Sequence, residues 1–581
     1  MSTPEESRTL STDDREVFES HGTASYDREV SDGTVVVDTP TEFRHTWRIW
    51  CIFLALAFLA FIASIDSTII TTSLPIVTQK IGGQGLYAWI ANSYLFATAI
   101  PQPMYAQLAN VFGRRNPLFV AIALFFIGSG IAGGARNAAT LIAGRVVQGL
   151  GSGGLYVLPE VILCDIIPPR YRGPFLSAVL SSAALGTTIG PVIGGALAPV
   201  DWRWIFWINL PIVSVLFLAL AIVLRVKYKR SPTWRAALSR VDFIGSAIFI
   251  PSMVSLFFGL IMGGNDLAGY SWSSFRIIVP LVLGVLGWIA FHLYEGSSAC
   301  REQSCPPRLF KHRTSAIGFL LIFLASIILQ GVSYFLPIYF QAVKGVSPLI
   351  SGVDYLPFTV GLVPLAGLAG GFLSKTGLYK PIHWAGFALS AVGMGLFSML
   401  DEHSSQGAWV GFQFVAAAGS GFIFTVTLPS TLAPLSESDV AVAAGTYSFV
   451  RSLGLVWGVT ISSIVFNNQV NAHLESIPDS SVRRLLENGA AYTFASGPHS
   501  IDSLSEPSKG QVIHVYVVAM RIVWLVFVGV AAVGFFATFI EKHVPLRKEN
   551  QTDFGLETKK SKEATAQSGD AAKEVSVALP A

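Results

Sequence analysis

Gly186-Thr187-Thr188-Ile189-Gly190-Pro191-Val192-Ile193-Gly194-Gly195 lies inside an apolar stretch long enough to cross a bilayer. Gly186, Gly190 and Gly194 stand four residues apart, so on a helix they share one face. That face has no side chains, and another helix can approach it closely. Pro191 removes a backbone donor and weakens the helix there. The stretch predicts a close-packed, bendable transmembrane helix.

The rest of the chain fits an integral membrane protein. Of its 581 residues 52% are hydrophobic and 13% charged, about half the charged share of a soluble globular chain. Its mean hydropathy is +0.56. A net charge of +3 is too small to point to a nucleic-acid partner. The four cysteines are Cys51, Cys164, Cys300 and Cys305, all read at or near cytosolic ends, where thiols stay reduced. Cys300 and Cys305 lack nearby histidines and are read as free thiols, so no metal site is expected. The first ~45 residues are polar and acid-rich, a disordered tail by composition rather than a signal peptide.

Apolar blocks of roughly 20 residues recur about fourteen times, from Trp47–Leu74 to Val512–Ile540. The second is expected at Tyr87–Leu108 and the eleventh at Pro381–Leu400. Alternate loops carry the basic residues: Arg114 and Arg115, Arg170 and Arg172, a cluster from Arg225 to Arg240, Arg301 to Arg313, and Lys375 with Lys380. The positive-inside rule then places both termini in the cytosol. The reading is an all-α integral membrane protein, with two six-helix bundles and two linker spans. The divisions are a tail at 1–45, a first bundle at 46–226, and a basic loop with two extra spans at 227–300. A second bundle at 301–540 carries an outside loop at 467–511, before a disordered tail at 541–581. Gly445, Gly454 and Gly458 weakly echo the glycine helix, which suggests the two halves are a repeat.

Ionisable groups inside a membrane cost roughly 2.5–3.5 kcal/mol each, so each needs a reason. Asp66 and Arg145 both fall roughly 9–12 Å below the outer surface and can face each other across a cavity. An acid beside an arginine can bind and release a proton as the cavity changes sides. A static ion pair is the alternative. Gln148 follows Arg145 by nearly one turn and serves either a substrate or a neighbouring helix. Gly149, Gly151, Gly153 and Gly154 thin that helix for close contact. Arg451 is mid-span with no evident partner; Glu160 and Asp165 read as interfacial acids paired to loop arginines. Gly113-Arg114-Arg115 forms a tight turn suited to a conformational latch. Asn92, Gln148, Gln330, Tyr334 and Arg451 are the candidates for lining a substrate cavity. No G-x-x-x-x-G-K-[ST] occurs, so ATP is not the direct energy source, and no enzyme constellation or cofactor motif appears.

These residues carry a family resemblance. Ile65-Asp66-Ser67-Thr68-Ile69-Ile70, Leu108-Ala109-Asn110-Val111-Phe112-Gly113-Arg114-Arg115 and Arg145 through Gly149 resemble, in order, motifs of the major facilitator superfamily. Gly186 through Gly195 resembles the fifth-span motif of its antiporters, and Leu336-Pro337-Ile338-Tyr339-Phe340-Gln341 the ninth-span end of fungal members. The chain resembles the fungal fourteen-span drug:proton antiporters over about residues 45 to 540. Asn110 stands where that loop motif usually has Asp, and Ala106 where it has Gly. The resemblance implies an alternating-access transporter fold and proton-driven efflux of a small organic compound (drug, toxin or secondary metabolite) by a monomer in the cell membrane. Its partners would be that substrate, protons and the lipid bilayer. Siderophore transport, or basic amino-acid transport at the vacuolar membrane, is the alternative cargo.

Overall fold

The computed structural model describes residues 46–81, 87–225, 233–263, 271–300, 302–487, 490–496 and 501–547. The expected tail at 1–45, and that at 541–581 beyond residue 547, lie outside them. Every regular element among the described residues is helical. In chain order the α-helices are α1 (Trp47–Ile81), α2 (Tyr87–Ala99), α3 (Gln102–Phe112), α4 (Arg115–Gly133), α5 (Ala138–Ile166) and α6 (Arg172–Asp201). Next come α7 (Trp204–Trp207), α8 (Asn209–Val223), α9 (Trp234–Leu238), α10 (Phe243–Met262), α11 (Phe275–Glu295), α12 (Arg313–Ala342) and α13 (Pro348–Thr376). The last are α14 (Lys380–Phe397), α15 (Gln406–Leu432), α16 (Val440–His473), α17 (Ser480–Leu486), α18 (Ala490–Ser496) and α19 (Ser508–Ile540).

Twelve helices among the described residues are long and apolar enough to cross a membrane. Two of the fourteen expected blocks are not among them. The block at Tyr87–Leu108 is broken at Ile100-Pro101 into α2 and α3, of 13 and 11 residues. Pro101 lacks the amide that would carry a helix through. The block at Pro381–Leu400 forms α14, only 18 residues long, with Lys380 and His383 in its first turn. Both nonetheless pack deeply, α2 and α3 on α5, α14 on α15 and α19.

The glycine helix α6 lies along α1. A Cβ at Gly186 would stand 2.4 Å from the Phe61 carbonyl, and one at Gly190 2.1 Å from Thr68 Oγ1. These glycines therefore serve contact within the first half of the chain. At Gly186 and Gly190 the close neighbour is α1, not a helix of the second half. Gly194 is buried, whereas Gly195 is exposed. The helix runs unbroken through Pro191. The Thr187 carbonyl, which Pro191 leaves without a helical donor, accepts from Thr68 Oγ1 at 3.0 Å.

The second half repeats this contact. Gly454 and Gly458 of α16 face the Phe323 and Ile327 carbonyls of α12, with a Cβ 2.5 and 2.6 Å away. Two glycines four apart thus meet two carbonyls four apart in each half. Helix α5 is thinned on two sides: Gly149 and Gly153 face α2, while Gly151 and Gly154 face α4 and Tyr105. Helices α10 and α11 pair with each other, and α10 also touches α2 and α16.

The arginine-bearing loops gather at one end of the bundle. There the two halves meet. Arg170 donates through Nε to the Ser374 carbonyl at 2.7 Å and through Nη2 to Lys375 O, and Arg172 lies 3.8 Å from Glu437. Gly370 lets α13 reach the Pro174 amide, and Gly445 lets α16 reach Ala106. Residues 541–547, expected in a disordered tail, instead pack here. The Arg547 carbonyl accepts from the Arg170 amide at 3.2 Å, and the Lys542 carbonyl accepts from Thr314 and Tyr379. At the opposite end the expected loop at 467–511 holds α17 and α18. Val482, Leu486, Ala491 and Ala495 are buried there.

Candidate functional site

Asp66 of α1 and Arg145 of α5 meet in the interior. Arg145 Nη1 donates to Asp66 Oδ2 at 2.6 Å, and both side chains are fully buried. The other carboxylate oxygen, Oδ1, accepts from Gln148 Nε2 and from Asn209 Nδ2, each at 2.8 Å. Gln148 Oε1 accepts from Arg145 Nη1 at 3.0 Å, and Gln148 Nε2 reaches Ser129 Oγ of α4 at 2.8 Å. The guanidinium lies 4.1 Å from the Tyr94 ring centre, which supplies a π face in place of water. Arg145 Nε has no hydrogen-bond partner. Four helices and the start of α8 therefore close around one carboxylate that accepts three charge-compensating or polar hydrogen bonds. Breaking one side of such a pair leaves an uncompensated buried charge, at a cost of about 3–5 kcal/mol.

The local sequence explains the placement. Gly144 lets α5 approach Ala132, and Gly128 lets α4 approach the Gln148 backbone, with a Cβ at 2.2 Å. Asn209 begins α8 after the short α7, so a residue that reads as a helix start is aimed inward. Sequence reasoning missed Asn209, Ser129 and Tyr94 as members of this group. Only the order of apolar spans, not any local pattern, brings them together.

A second buried pair joins the halves. Arg451 of α16 donates through Nη1 to Glu160 Oε1 of α5, and Ser448 Oγ donates to Glu160 Oε2 at 2.7 Å. Ser452 Oγ lies 3.1 Å from Gln102 Oε1 of α3. Glu160 was expected to pair with a loop arginine. It pairs with Arg451 because α5 and α16 cross where Gly445 has already brought α16 against α3. Gln148 and Arg451, expected to line a substrate cavity, are both held within these closed networks, 0% and 7% exposed.

Asp165 does pair with a loop arginine. Arg114 Nε donates to Asp165 Oδ2 at 2.7 Å, and Arg114 Nη1 donates to the Ala109 carbonyl and to Asn110 Oδ1 at 2.7 Å. Gly113 has φ 80°, which an L side chain rarely adopts, so the turn requires glycine. These contacts stay within the first half. Arg115 points outward over Phe119 and donates to Ala221 O. The interlocking contacts between halves come instead from Arg170 and Arg172. Asn92 and Gln330 are half-buried, and Tyr334 is 37% exposed.

A fourth buried pair escaped the sequence reading. His383 of α14 sits between Glu541 Oε2 at 2.9 Å and Thr427 Oγ1 at 3.2 Å. It fastens the end of α19 to α14 and α15.

A bundle of long apolar helices with buried ion pairs and two halves meeting at one end is the architecture of a membrane transporter. The chain belongs to the Major Facilitator Superfamily, whose family model matches residues 56–459. It is 45% identical over 523 residues to the MFS efflux transporter aclA of Aspergillus oryzae, covering 90% of this chain and 94% of that one. It is 42% identical over 535 residues to the efflux pump FUS6 of Gibberella moniliformis, covering 91% of this chain and 94% of that one. Among solved structures, the human organic anion transporter MFSD10 shares the fold. Its TM-score is 0.53 at 13% identity, covering 85% of this chain and all of that one. The protein is accordingly a multi-pass membrane transporter and not an enzyme.

Proposed function

We propose that the protein exports a small organic compound, a toxin or secondary metabolite, in exchange for protons. Two relatives covered almost end to end are named efflux transporters or pumps, which supports the direction. The observation that carries the coupling is the Asp66–Arg145 pair, sealed from water with Gln148 and Asn209. A proton arriving at Asp66 replaces the arginine as counter-charge. Arg145 is then free to swing away, and the helices it ties, α1 and α5, can part. Release of the proton on the other side restores the pair. Each unit of pH difference supplies about 1.4 kcal/mol per proton, comparable to one good buried hydrogen bond.

In this reading the chain crosses the membrane fourteen times, with α2–α3 as a broken crossing and α14 as a short one. Helices α1–α8 form one bundle, α12–α16 with α19 the other, and α10–α11 the linker. The arginine-rich end faces the cytosol by the positive-inside rule, and the structure has that end closed by the Arg170, Arg172 and Arg451 contacts. The test is uptake into sealed inside-out vesicles under an imposed pH gradient, against a panel of fungal metabolites and drugs. Accumulation that follows the gradient and collapses with an uncoupler is expected. Accumulation indifferent to the gradient would reject proton exchange.

A further inference from the structure

Where the α10–α11 pair meets the loop to the second half, two carboxylates and a thiol converge. Asp242 precedes α10, Glu295 ends α11, and Cys300 follows in the loop; all three are buried. A ligand-type atom from each lies within 4.8 Å of the others. Among the described residues the carboxylates are only partly satisfied. Asp242 Oδ1 accepts from the Gly245 amide at 2.8 Å and lies 3.3 Å from the Tyr294 hydroxyl, while Oδ2 has no partner. Glu295 Oε1 accepts from the Ser304 and Cys305 amides at 2.9 and 3.3 Å, while Oε2 has none. Ser304 Oγ is a third buried oxygen without a partner, on the residue whose amide holds Glu295. Neither acid forms an ion pair among the described residues, although the neighbouring Arg240 and Glu302 pair with each other at 2.8 Å. Gly245 also clears the space beside Asp242, since a Cβ there would lie 1.8 Å from Oδ2.

Two buried carboxylates side by side need a shared proton or a compensating charge, and among the described residues no basic side chain supplies the charge. We propose that Asp242, Glu295 and Cys300 bind a divalent transition cation of the zinc class. A sulfur ligand selects a borderline or soft cation over calcium or magnesium. Tetrahedral zinc holds sulfur and oxygen ligands about 3.5 Å apart, so small side-chain rotations close the site. In sequence Cys300 has no nearby histidine; the fold brings it carboxylates instead. The ligands come from the start of α10, the end of α11 and the following loop. A bound cation would staple the helix pair shut at one end and fix how the chain enters the second half.

The full-length protein, purified in detergent and stripped with a chelator, is titrated with Co²⁺ as a spectroscopic probe and then with Zn²⁺. One equivalent of Co²⁺ is expected to produce a thiolate-to-cobalt charge-transfer band. Zn²⁺ should abolish that band, and Cys300→Ser and Glu295→Gln should lack it. Zn²⁺ should also raise the thermal midpoint of wild type and leave that of both variants unmoved. No band in wild type, or a band retained in Cys300→Ser, would overturn the site. A folded wild-type protein without the band would mean instead that the two carboxyls share a proton.

Discussion

The Thr68 hydroxyl donates to the Thr187 carbonyl at 3.0 Å, the one carbonyl of α6 that Pro191 deprives of its helical donor. Proline in a membrane helix is tolerated when a neighbour satisfies the freed group. Here that neighbour is reached only because Gly186 and Gly190 let α1 come close. Thr68→Val should therefore lower stability by about 1–3 kcal/mol, the cost of an orphaned buried carbonyl. Pro191→Ala restores the amide. The double variant Thr68→Val/Pro191→Ala should then be less destabilised than the sum of the singles, by about 1 kcal/mol. Thermal unfolding in detergent of all four proteins measures the coupling, and strict additivity would show that the hydroxyl does not serve that carbonyl.

Gly190→Leu should be far more damaging than either. Its Cβ would fall 2.1 Å from Thr68 Oγ1 and 2.8 Å from the Ile65 carbonyl, so the two helices must separate. Asp66 lies one residue beyond Ile65, and the separation should disturb its pairing with Arg145 as well. A lower thermal midpoint together with lost transport is expected. Normal transport would reduce the glycine run to a packing preference without mechanism.

Asp66→Asn keeps the shape of the side chain but leaves Arg145 buried without its counter-charge, so it too should cost about 3–5 kcal/mol. The protein that still reaches the membrane should have lost transport driven by a pH gradient. Arg145→Gln leaves Asp66 buried without its counter-charge and should cost about 3–5 kcal/mol. Combining the two removes both charges and should recover most of that stability, yet no coupled transport. Membrane yield, thermal midpoint and vesicle uptake together distinguish this from a merely structural ion pair, whose double neutralisation would transport normally.

Asn110→Asp tests what the departure at this position means. Asn110 already supplies an oxygen to Arg114 at 2.7 Å, and Asp165 supplies the charge. Adding a second acid should change stability by less than about 1 kcal/mol and leave transport intact. Asn110→Leu, which removes the acceptor, should lower the thermal midpoint.

The long apolar spans were legible because a bilayer imposes a length and a composition that few other settings do. Asp66 and Arg145 were legible for the same reason: a charge inside such a span is costly and stands out. Asn209 was not, because an asparagine beside a helix start reads as a cap until the fold turns it inward. Glu160 and Arg451 stand 291 residues apart, and nothing local to either names the other. The facing direction of Gly186 and Gly190 was equally hidden. Spacing shows that glycines share a face, but which helix fills it is a matter of topology.

Glu160 and Arg451 make the last prediction, because theirs is a buried ion pair that crosses between the halves. It lies on the same side of the bundle as the Arg170 contacts to Ser374 and Lys375. If the halves part at this end during transport, both sets of contacts must break together. Glu160→Gln weakens the pair while Ser448 can still donate to the remaining carbonyl oxygen. It should therefore fold, favour separation of the halves, and raise amide exchange across the end of α13 at 374–379, far from the substitution itself. Arg170→Ala should raise exchange in that same segment. Hydrogen-exchange mass spectrometry on both variants measures it. Faster exchange confined to α5 and α16 in Glu160→Gln would mean that the pair holds two helices and not two halves.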